Sequence, residues 1–185
     1  MVDDRKLIRA FICIDFPDEV VKEIARIQEL VGKKKFIGKM TELENLHLTL
    51  KFLGEIDEET LEKVKESLKK VKFKEMELKL GEIGAFSFKG NPRIVWVKIE
   101  GRQIWDLQAD IDDSLKDLFK LESRFMSHLT LARVKYVKDG KAFEEHVRGI
   151  SVKDTKFNID KFYLKSSELK RLGPVYTIIE EYKSK

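Results

Sequence analysis

Two segments of the chain, residues 45–53 and 126–132, carry the same tetrad, His-Leu-Thr-Leu. Apolar and polar residues alternate through both segments, which is typical of a β-strand with one buried face. The leucines require a hydrophobic core. The opposite face of each strand presents an imidazole and a hydroxyl: His47 with Thr49, and His128 with Thr130. The same alternation predicts that Lys51 joins the polar face and Phe52 the leucine face.

The recurrence of the tetrad has two explanations. The chain contains 3 histidines, and two of them stand two positions before a threonine in an apolar strand. The first explanation is coincidence, because a single such pair is often a half-buried histidine beside a residue that favours strands. We favour the second, in which a duplicated unit brings two equivalent histidines to one cleft.

The order of the predicted elements is the same in both halves of the chain. Residues 9–14 form an apolar strand, and residues 19–31 have apolar side chains at the spacing of an amphipathic helix. Residues 93–99 and 102–120 repeat this order, and a tetrad strand follows each time. At 185 residues the chain is one domain or two small lobes with a shared core. We place their divide at residues 81–92, which are expected to be irregular.

Charge and hydrophobicity set limits on the class of protein. The net charge of +4 permits an anionic ligand without requiring nucleic acid, since 33 acidic residues are interspersed with 37 basic ones. Hydrophobic residues make up 42% of the chain, which is enough for a core. With no signal-peptide pattern and no apolar run of membrane-spanning length, we expect a cytoplasmic protein without membrane contact. Charged residues reach 38% against only 6 Asn and Gln, which is typical of a heat-adapted source.

Several further segments have more than one interpretation. Residues 32–39 form a basic loop between glycines, either a solvated connector or a rim that attracts phosphate and offers Phe36 to a base. Trp96 either lines a pocket or packs in the core. Residues 165–174 are predicted to be a loop. His146 has no threonine partner and is predicted to be a surface histidine.

Two histidines on converging strands suit concerted general acid–base catalysis. A neutral imidazole accepts a proton from a hydroxyl or water while a protonated one donates to the leaving oxygen, and a pKa near 6.5 allows both states near neutral pH. Each positioned proton transfer typically contributes about 10²–10⁴ in rate. The threonine hydroxyls can donate to non-bridging phosphoryl oxygens, where charge builds up. Such a symmetric pair fits in-line displacement at phosphorus.

Other kinds of site fit the sequence less well. A zinc site needs three or four ligands, and the sequence has neither a cysteine pair nor closely spaced histidines. Cys13 lies among apolar residues in a strand, and no serine stands in the context of a nucleophile elbow. Neither a P-loop nor a Gly-x-Gly-x-x-Gly sequence is present. Phosphodiester chemistry without a metal or cofactor is what remains.

With both tetrads identified, the chain resembles the two-histidine phosphoesterase superfamily, and within it the RNA 2′,3′-cyclic phosphodiesterases, also called 2′–5′ RNA ligases. The likeness runs nearly from end to end. Residues 9–15 resemble the family's opening strand, residues 44–55 and 125–133 its two histidine motifs, and residues 169–176 its C-terminal signature. One departure is Ser127, because many members have proline directly before the second histidine.

The resemblance implies an α+β fold in a single domain of residues 1–185. Two lobes, roughly 1–85 and 86–185, would be related by a pseudo-twofold axis, with exchange of strands between them allowed. Antiparallel β-sheets flanked by helices would enclose a central cleft.

The resemblance also implies hydrolysis of an RNA 2′,3′-cyclic phosphate to a 2′-phosphate without metal or cofactor. His47 and His128 would be the acid–base pair, and we favour His47 as the proton donor to the 3′ oxygen. The residues implied to bind substrate are Thr49, Thr130, Arg133 and Phe11. By strand parity Arg133 falls on the leucine side, so it needs a strand end or a bulge to reach the cleft. Phe11 either stacks a base or packs in the core.

The expected partners are RNA ends that carry the cyclic phosphate, tRNA fragments among them, and we expect a monomer. Such enzymes also run the reverse reaction and join RNA ends through a 2′–5′ bond. Three alternatives remain open: an enzyme for small cyclic nucleotides, a non-catalytic RNA-binding module, and an α+β domain without this site.

Overall fold

The computed structural model describes residues 7–171 and 173–185. In chain order its elements are β1 (Ile8–Asp15), α1 (Asp18–Gly32), β2 (Ile37–Met40), β3 (His47–Ile56), α2 (Glu58–Leu68), β4 (Met76–Phe88), β5 (Asn91–Glu100), α3 (Arg102–Ser114), β6 (His128–Tyr136), α4 (Gly140–Arg148), β7 (Lys156–Ile159), β8 (Lys161–Lys170) and β9 (Gly173–Lys183). A short 3₁₀ helix, Leu43–Asn45, precedes β3. None of the described helices combines the length and the apolar character needed to span a membrane.

The strands form two antiparallel sheets. The first sheet has the strand order β3-β1-β8-β9, and the second has the order β2-β6-β5-β4-β7. Each tetrad strand pairs with the strand that precedes the helix of its half, β3 with β1 and β6 with β5. The expected α+β fold with two antiparallel sheets is confirmed.

The two sheets do not divide the chain at one position. The first sheet takes β8 and β9 from the C-terminal part, and the second takes β2 from the N-terminal part. β4 runs across residue 85 and pairs only within the second sheet. Lobes that correspond to residues 1–85 and 86–185 stay a prediction.

One hydrophobic cluster joins the buried faces of both sheets to the helices. It includes alternate residues of β1 (Ala10, Ile12 and Ile14), the leucines of both tetrads (Leu48, Leu50, Leu129 and Leu131) and inward residues of α1 (Val20, Ile24 and Ile27). The leucine face of each tetrad strand is therefore inside, as the alternation predicts. The opposite face, which carries the tetrad histidine and threonine, is here called the histidine face of each sheet.

The prediction of an irregular segment at residues 81–92 was wrong. β4 continues to Phe88, and the chain turns through Lys89 and Gly90 directly into β5. The strand pattern is hidden because the pairing register shifts within β4. At Gly84, moreover, a side chain is excluded, since a Cβ atom there would lie 2.6 Å from the ring of Trp96.

Two other element boundaries also differ from the predictions. The helix expected over residues 102–120 ends at Ser114, and turns continue the chain from there. The loop expected over residues 165–174 is mostly the β8–β9 hairpin, with Leu172 outside the described residues. Polar, exposed side chains at the tip of this hairpin gave no alternation from which strands could be inferred.

Candidate active site

An extra residue interrupts the first tetrad strand directly after its threonine. On β3, the residues opposite Cys13 and Ile12 are Thr49 and Lys51, so Leu50 forms a β-bulge. An extra residue reverses the inside–outside parity of the residues that follow it. The alternation read from the sequence therefore fails beyond the tetrad.

The second tetrad strand has a bulge at the equivalent place. On β6, the residues opposite Trp96 and Val95 are Thr130 and Ala132, so Leu131 is the extra residue. Leu131 and Ala132 are both buried, and Arg133 is exposed on the histidine face. The bulge that Arg133 needs in order to reach the cleft side is thus present.

On β3 the same change of parity overturns two predictions. Lys51, expected on the polar face, is 5% exposed and forms an ion pair with Asp112 of α3. Phe52, expected with the leucines, is 67% exposed on the histidine face, next to the ring of Phe11. The physical reason is the bulge at Leu50, for which the sequence shows no distinct signal.

The bulge of the second tetrad strand is held from helix α1. The side-chain nitrogen of Gln28 donates to the carbonyl of Leu131 at 2.9 Å and to the carbonyl of Thr41 at 2.8 Å. The backbone N–H of Thr41 donates to the same Leu131 carbonyl at 2.8 Å. These hydrogen bonds add to the pairing of β6 with β5. They hold the backbone at Leu131 and thereby fix the direction in which Arg133 points.

Both tetrad imidazoles are oriented by the same hydrogen bond. Nδ1 of His47 lies 2.7 Å from the carbonyl oxygen of Asn45, and Nδ1 of His128 lies 2.8 Å from that of Met126. A carbonyl only accepts, so Nδ1–H must be the donor in each ring. Nε2 is then the atom left to exchange a proton with a ligand, and both histidines have the tautomer that general acid–base catalysis requires.

His47 lies between two aromatic rings. Its ring centroid is 5.0 Å from that of Phe11 and 5.1 Å from that of Tyr176. Burial lowers the pKa of His47 below its ordinary value, and the positive charges of Lys165 and Arg133 act in the same direction. In the free protein, His47 is therefore biased towards the neutral form.

An ion pair lies beside His47 on the histidine face. Nζ of Lys165 is 2.6 Å from both carboxylate oxygens of Asp15, and Asp15 is the strand neighbour of His47. Lys165 is 8% exposed. The Lys165 cation lowers the pKa of His47, while the Asp15 carboxylate raises it. The two members of the ion pair therefore partly cancel each other's effect on that pKa.

His128 is half-buried and has a different set of neighbours. Its ring centroid is 5.2 Å from that of Phe86, which in turn contacts Trp96 at 5.2 Å. Ser127, the departure from the family pattern, is 5% exposed, and its carbonyl accepts a hydrogen bond of 3.0 Å from the N–H of Ile99. The start of β6 is thus held by a backbone hydrogen bond to β5, although Ser127 stands in place of proline.

The two halves of the site adjoin each other. The Cα atoms of β3 and β6 approach within 8 Å although the strands belong to different sheets. Besides burial, the charge of Arg133 on β6 lowers the pKa of His47 on β3. The structure therefore brings His47 of the first sheet near Arg133 of the second, which lies on the strand that also carries His128 and Thr130.

Three aromatic or imidazole side chains are less accessible than some of the interpretations require. Phe11 is 2% exposed beneath His47, which agrees with packing, and base stacking by Phe11 stays a prediction. Phe36 packs edge-on against Phe143 at 5.6 Å, which disfavours base stacking. His146 is half-buried rather than on the surface, and its Nε2 donates to the carbonyl of Leu30 at 2.9 Å.

Several neighbours of the histidines could not be assigned from the sequence. Tyr176 lies in the C-terminal signature, and Asn45 next to the first tetrad donates to the carbonyl of Pro174 at 3.1 Å. The resemblance of residues 169–176 to the C-terminal signature of the family indicated that this segment matters, but it did not indicate the contact of Tyr176 with His47. Lys165 and Phe86 had no signal, because only the pairing register puts them beside the histidines.

The chain is similar to known proteins in sequence and in fold. Residues 14–96 and 98–176 match the family of LigT-like phosphoesterases. The chain is 34% identical to the RNA 2′,3′-cyclic phosphodiesterase of Methanocaldococcus jannaschii, over 95% of this chain and 100% of the relative. It is 33% identical to the enzyme of the same name from Thermotoga maritima, over 94% of each chain.

Among solved structures, a crystal structure from Thermus thermophilus superimposes with a TM-score of 0.78 at 27% identity, over 95% of this chain and 97% of the other. Family match, identity and fold thus agree along nearly the whole length. The chain belongs to the LigT-like phosphoesterase family.

Proposed function

We propose that the protein hydrolyses the 2′,3′-cyclic phosphate at the 3′ end of RNA. The observation that carries the proposal is the pair of tetrad histidines, held by equivalent Nδ1 hydrogen bonds on adjoining strands. The names of the relatives from M. jannaschii and T. maritima supply the substrate class.

The reaction opens the ring by attack of water on phosphorus. One imidazole accepts a proton from the water at Nε2 as the new P–O bond forms. The other donates a proton to the 3′ oxygen as its bond to phosphorus breaks, which leaves a 2′-phosphate and a free 3′ hydroxyl. Thr49, Thr130 and Arg133 are suited to bind the non-bridging oxygens, because a hydroxyl or guanidinium donates to developing negative charge.

The assignment of His47 as donor and His128 as base stays a prediction. The lowered pKa of His47 favours a neutral ring in the free protein, mainly through burial. A bound phosphate brings negative charge to the same place and raises the pKa again. Binding of substrate therefore favours the protonated form of His47 that donation needs.

The proposal extends to the finer features that the family resemblance implies. Ring opening by the 5′ hydroxyl of a second RNA in place of water would form a 2′–5′ bond as the bond from phosphorus to the 3′ oxygen breaks. Fragments of tRNA would be natural substrates for a monomeric enzyme in the cytoplasm. The high content of charged residues supports a heat-adapted source.

The test is the hydrolysis of a short RNA with a 2′,3′-cyclic phosphate in the presence of EDTA. We expect the wild type to form a 2′-phosphate, and His47→Ala and His128→Ala each to lower kcat by about 10²–10⁴. His146→Ala is the matched control, because this histidine lies outside the site. A 3′-phosphate product would reverse the roles of the two oxygens. Binding of RNA without turnover by the wild type would refute the proposed activity.

A further inference from the structure

The strand that carries the second histidine continues past the site and bulges again. On β6, the residues opposite Gly38 and Ile37 are Val134 and Tyr136, so Lys135 is an extra residue. Val134 is buried, while Lys135 and Tyr136 are both exposed. This second bulge of β6 puts two consecutive side chains on the same side of the sheet as Arg133.

These residues and their partners on β2 form one continuous surface. Lys39 pairs with Arg133, and Ile37 pairs with Tyr136. Ile37 is 61% exposed and Tyr136 is 59% exposed. The β2–β6 surface consists of Ile37, Lys39, Arg133, Lys135 and Tyr136. It lies on the histidine face of the second sheet and runs along β6 away from His128.

The surroundings of this surface are strongly basic. Residues 33–35, the lysines of the basic loop, are exposed and lead directly into β2. Within the part of the chain that the structure describes, no carboxylate pairs with these three lysines or with Lys135. The backbone carbonyl of Lys135 is held at 2.9 Å by the guanidinium of Arg93. Lys39 of the β2–β6 surface, in contrast, forms an ion pair with Glu42.

Unpaired cations around an exposed tyrosine ring fit single-stranded nucleic acid. Such proteins combine a positive groove that follows the backbone with aromatic rings on which bases stack. The surface is continuous with the site: the partners of Arg133 and Tyr136 on β2, Lys39 and Ile37, are two residues apart, which is about 7 Å along the strand. A cyclic phosphate ends its RNA at the 3′ side, so all remaining nucleotides extend in the 5′ direction.

We propose that the β2–β6 surface binds the RNA segment on the 5′ side of the cyclic phosphate. A base stacks on Tyr136, and backbone phosphates bind Lys135 and residues 33–35, the lysines of the basic loop. This inference rests on the proposed function and adds a preference for oligonucleotides over mononucleotides. The basic loop then has a role in phosphate attraction, with Tyr136 rather than Phe36 as the stacking ring.

The test compares two substrates that end in the same nucleotide. One is a nucleoside 2′,3′-cyclic phosphate, and the other is a five-nucleotide RNA with that end. We expect Tyr136→Ala to lower kcat/KM for the oligonucleotide by about 5- to 150-fold, the range for loss of one stacked base. The mononucleotide rate should change less than twofold, which also shows that the variant is folded. Tyr136→Phe keeps the ring and should behave as the wild type.

Charge is tested separately with Lys135→Glu. The slope of log kcat/KM against log salt for the oligonucleotide should become shallower by about 0.7 for each phosphate that the variant no longer neutralises. Lys74→Glu is the matched control, because Lys74 is exposed and lies just before the start of β4, outside the β2–β6 surface. Equal effects of Lys135→Glu and Lys74→Glu would contradict a local interaction.

A measurement of RNA binding tests this inference independently of the proposed catalytic activity. Anisotropy of a fluorescent five-nucleotide RNA with a 3′-phosphate reports on the surface even if the wild type hydrolyses neither substrate. Equal affinity of wild type and Tyr136→Ala, with equal oligonucleotide rates, would overturn the inference. So would a change in sedimentation of Tyr136→Ala without any effect on RNA, since the surface would then be an interface between copies of the chain.

Discussion

The buried ion pair between Lys51 and Asp112 yields the sharpest prediction for stability. Lys51 is 5% exposed and Asp112 is 6% exposed. The ammonium also donates to the carbonyl of Lys120 at 2.8 Å, and the carboxylate accepts from the N–H of Glu122 at 2.5 Å. The pair thus joins the bulged strand β3 to helix α3 and to the segment that leads to the second tetrad. Replacing either partner alone leaves a buried charge without its counter-charge.

We expect Lys51→Met to lower the free energy of unfolding by about 3–5 kcal/mol, the usual cost of breaking a buried pair. For a chain of this size, that loss lowers Tm by about 6–20 °C. Asp112→Leu should cost a similar amount. The double variant should be clearly more stable than the sum of the single effects predicts, because no charge is then stranded.

Guanidinium chloride unfolding, followed by tryptophan fluorescence and by far-UV circular dichroism, measures these free energies. Lys63→Met is the control, since Lys63 forms an ion pair with Glu59 on the exposed surface of α2 and such pairs contribute about 0–1 kcal/mol. A loss below about 1 kcal/mol for Lys51→Met would refute the reasoning, because a buried and uncompensated carboxylate costs more than that. Additivity in the double variant would refute it as well.

Three further predictions concern the site and a helix end. Lys165→Gln should raise the pKa of His47, because it removes a cation that disfavours the imidazolium; titration of the imidazole protons by NMR measures this, and a fall would contradict it. Gln28→Leu should lower kcat/KM by about 2- to 10-fold through a poorly placed Arg133. The same change should add little in an Arg133→Ala background, and a full additional loss there would show a separate role. Asp139→Ala removes the cap of α4 and should lower stability by about 1 kcal/mol in thermal unfolding, whereas an unchanged Tm would show that the cap contributes nothing.

The sequence predicted the features that depend on short-range patterns. The tetrads, the leucine core, helix α1 and the α+β fold follow from periodicity and from the family resemblance. The prediction that Arg133 needs a bulge followed from strand parity alone, and the bulge at Leu131 is present. Wherever a strand is regular, the alternation of apolar and polar residues is sufficient to predict which side chains face the core.

The features that the sequence could not predict depend on pairing between distant segments. Burial of Lys51 requires both the bulge at Leu50 and the facing Asp112, which is far away in the chain. The contact of Tyr176 with His47 depends on the register of β8 and β9. Side-chain direction reverses with a single extra residue, so small errors in register change which residues line a site.

The exchange of strands between the sheets has a consequence for synthesis on the ribosome. β1 is synthesised long before β8, which is its second partner in the sheet. Until then one edge of β1 is open to pairing with other chains, a known route to aggregation. His47 also lacks its neighbours Lys165 and Tyr176 during this interval. A chain that ends before β8 is therefore expected to be inactive, because synthesis of β8 and β9 is the step that completes the surroundings of His47.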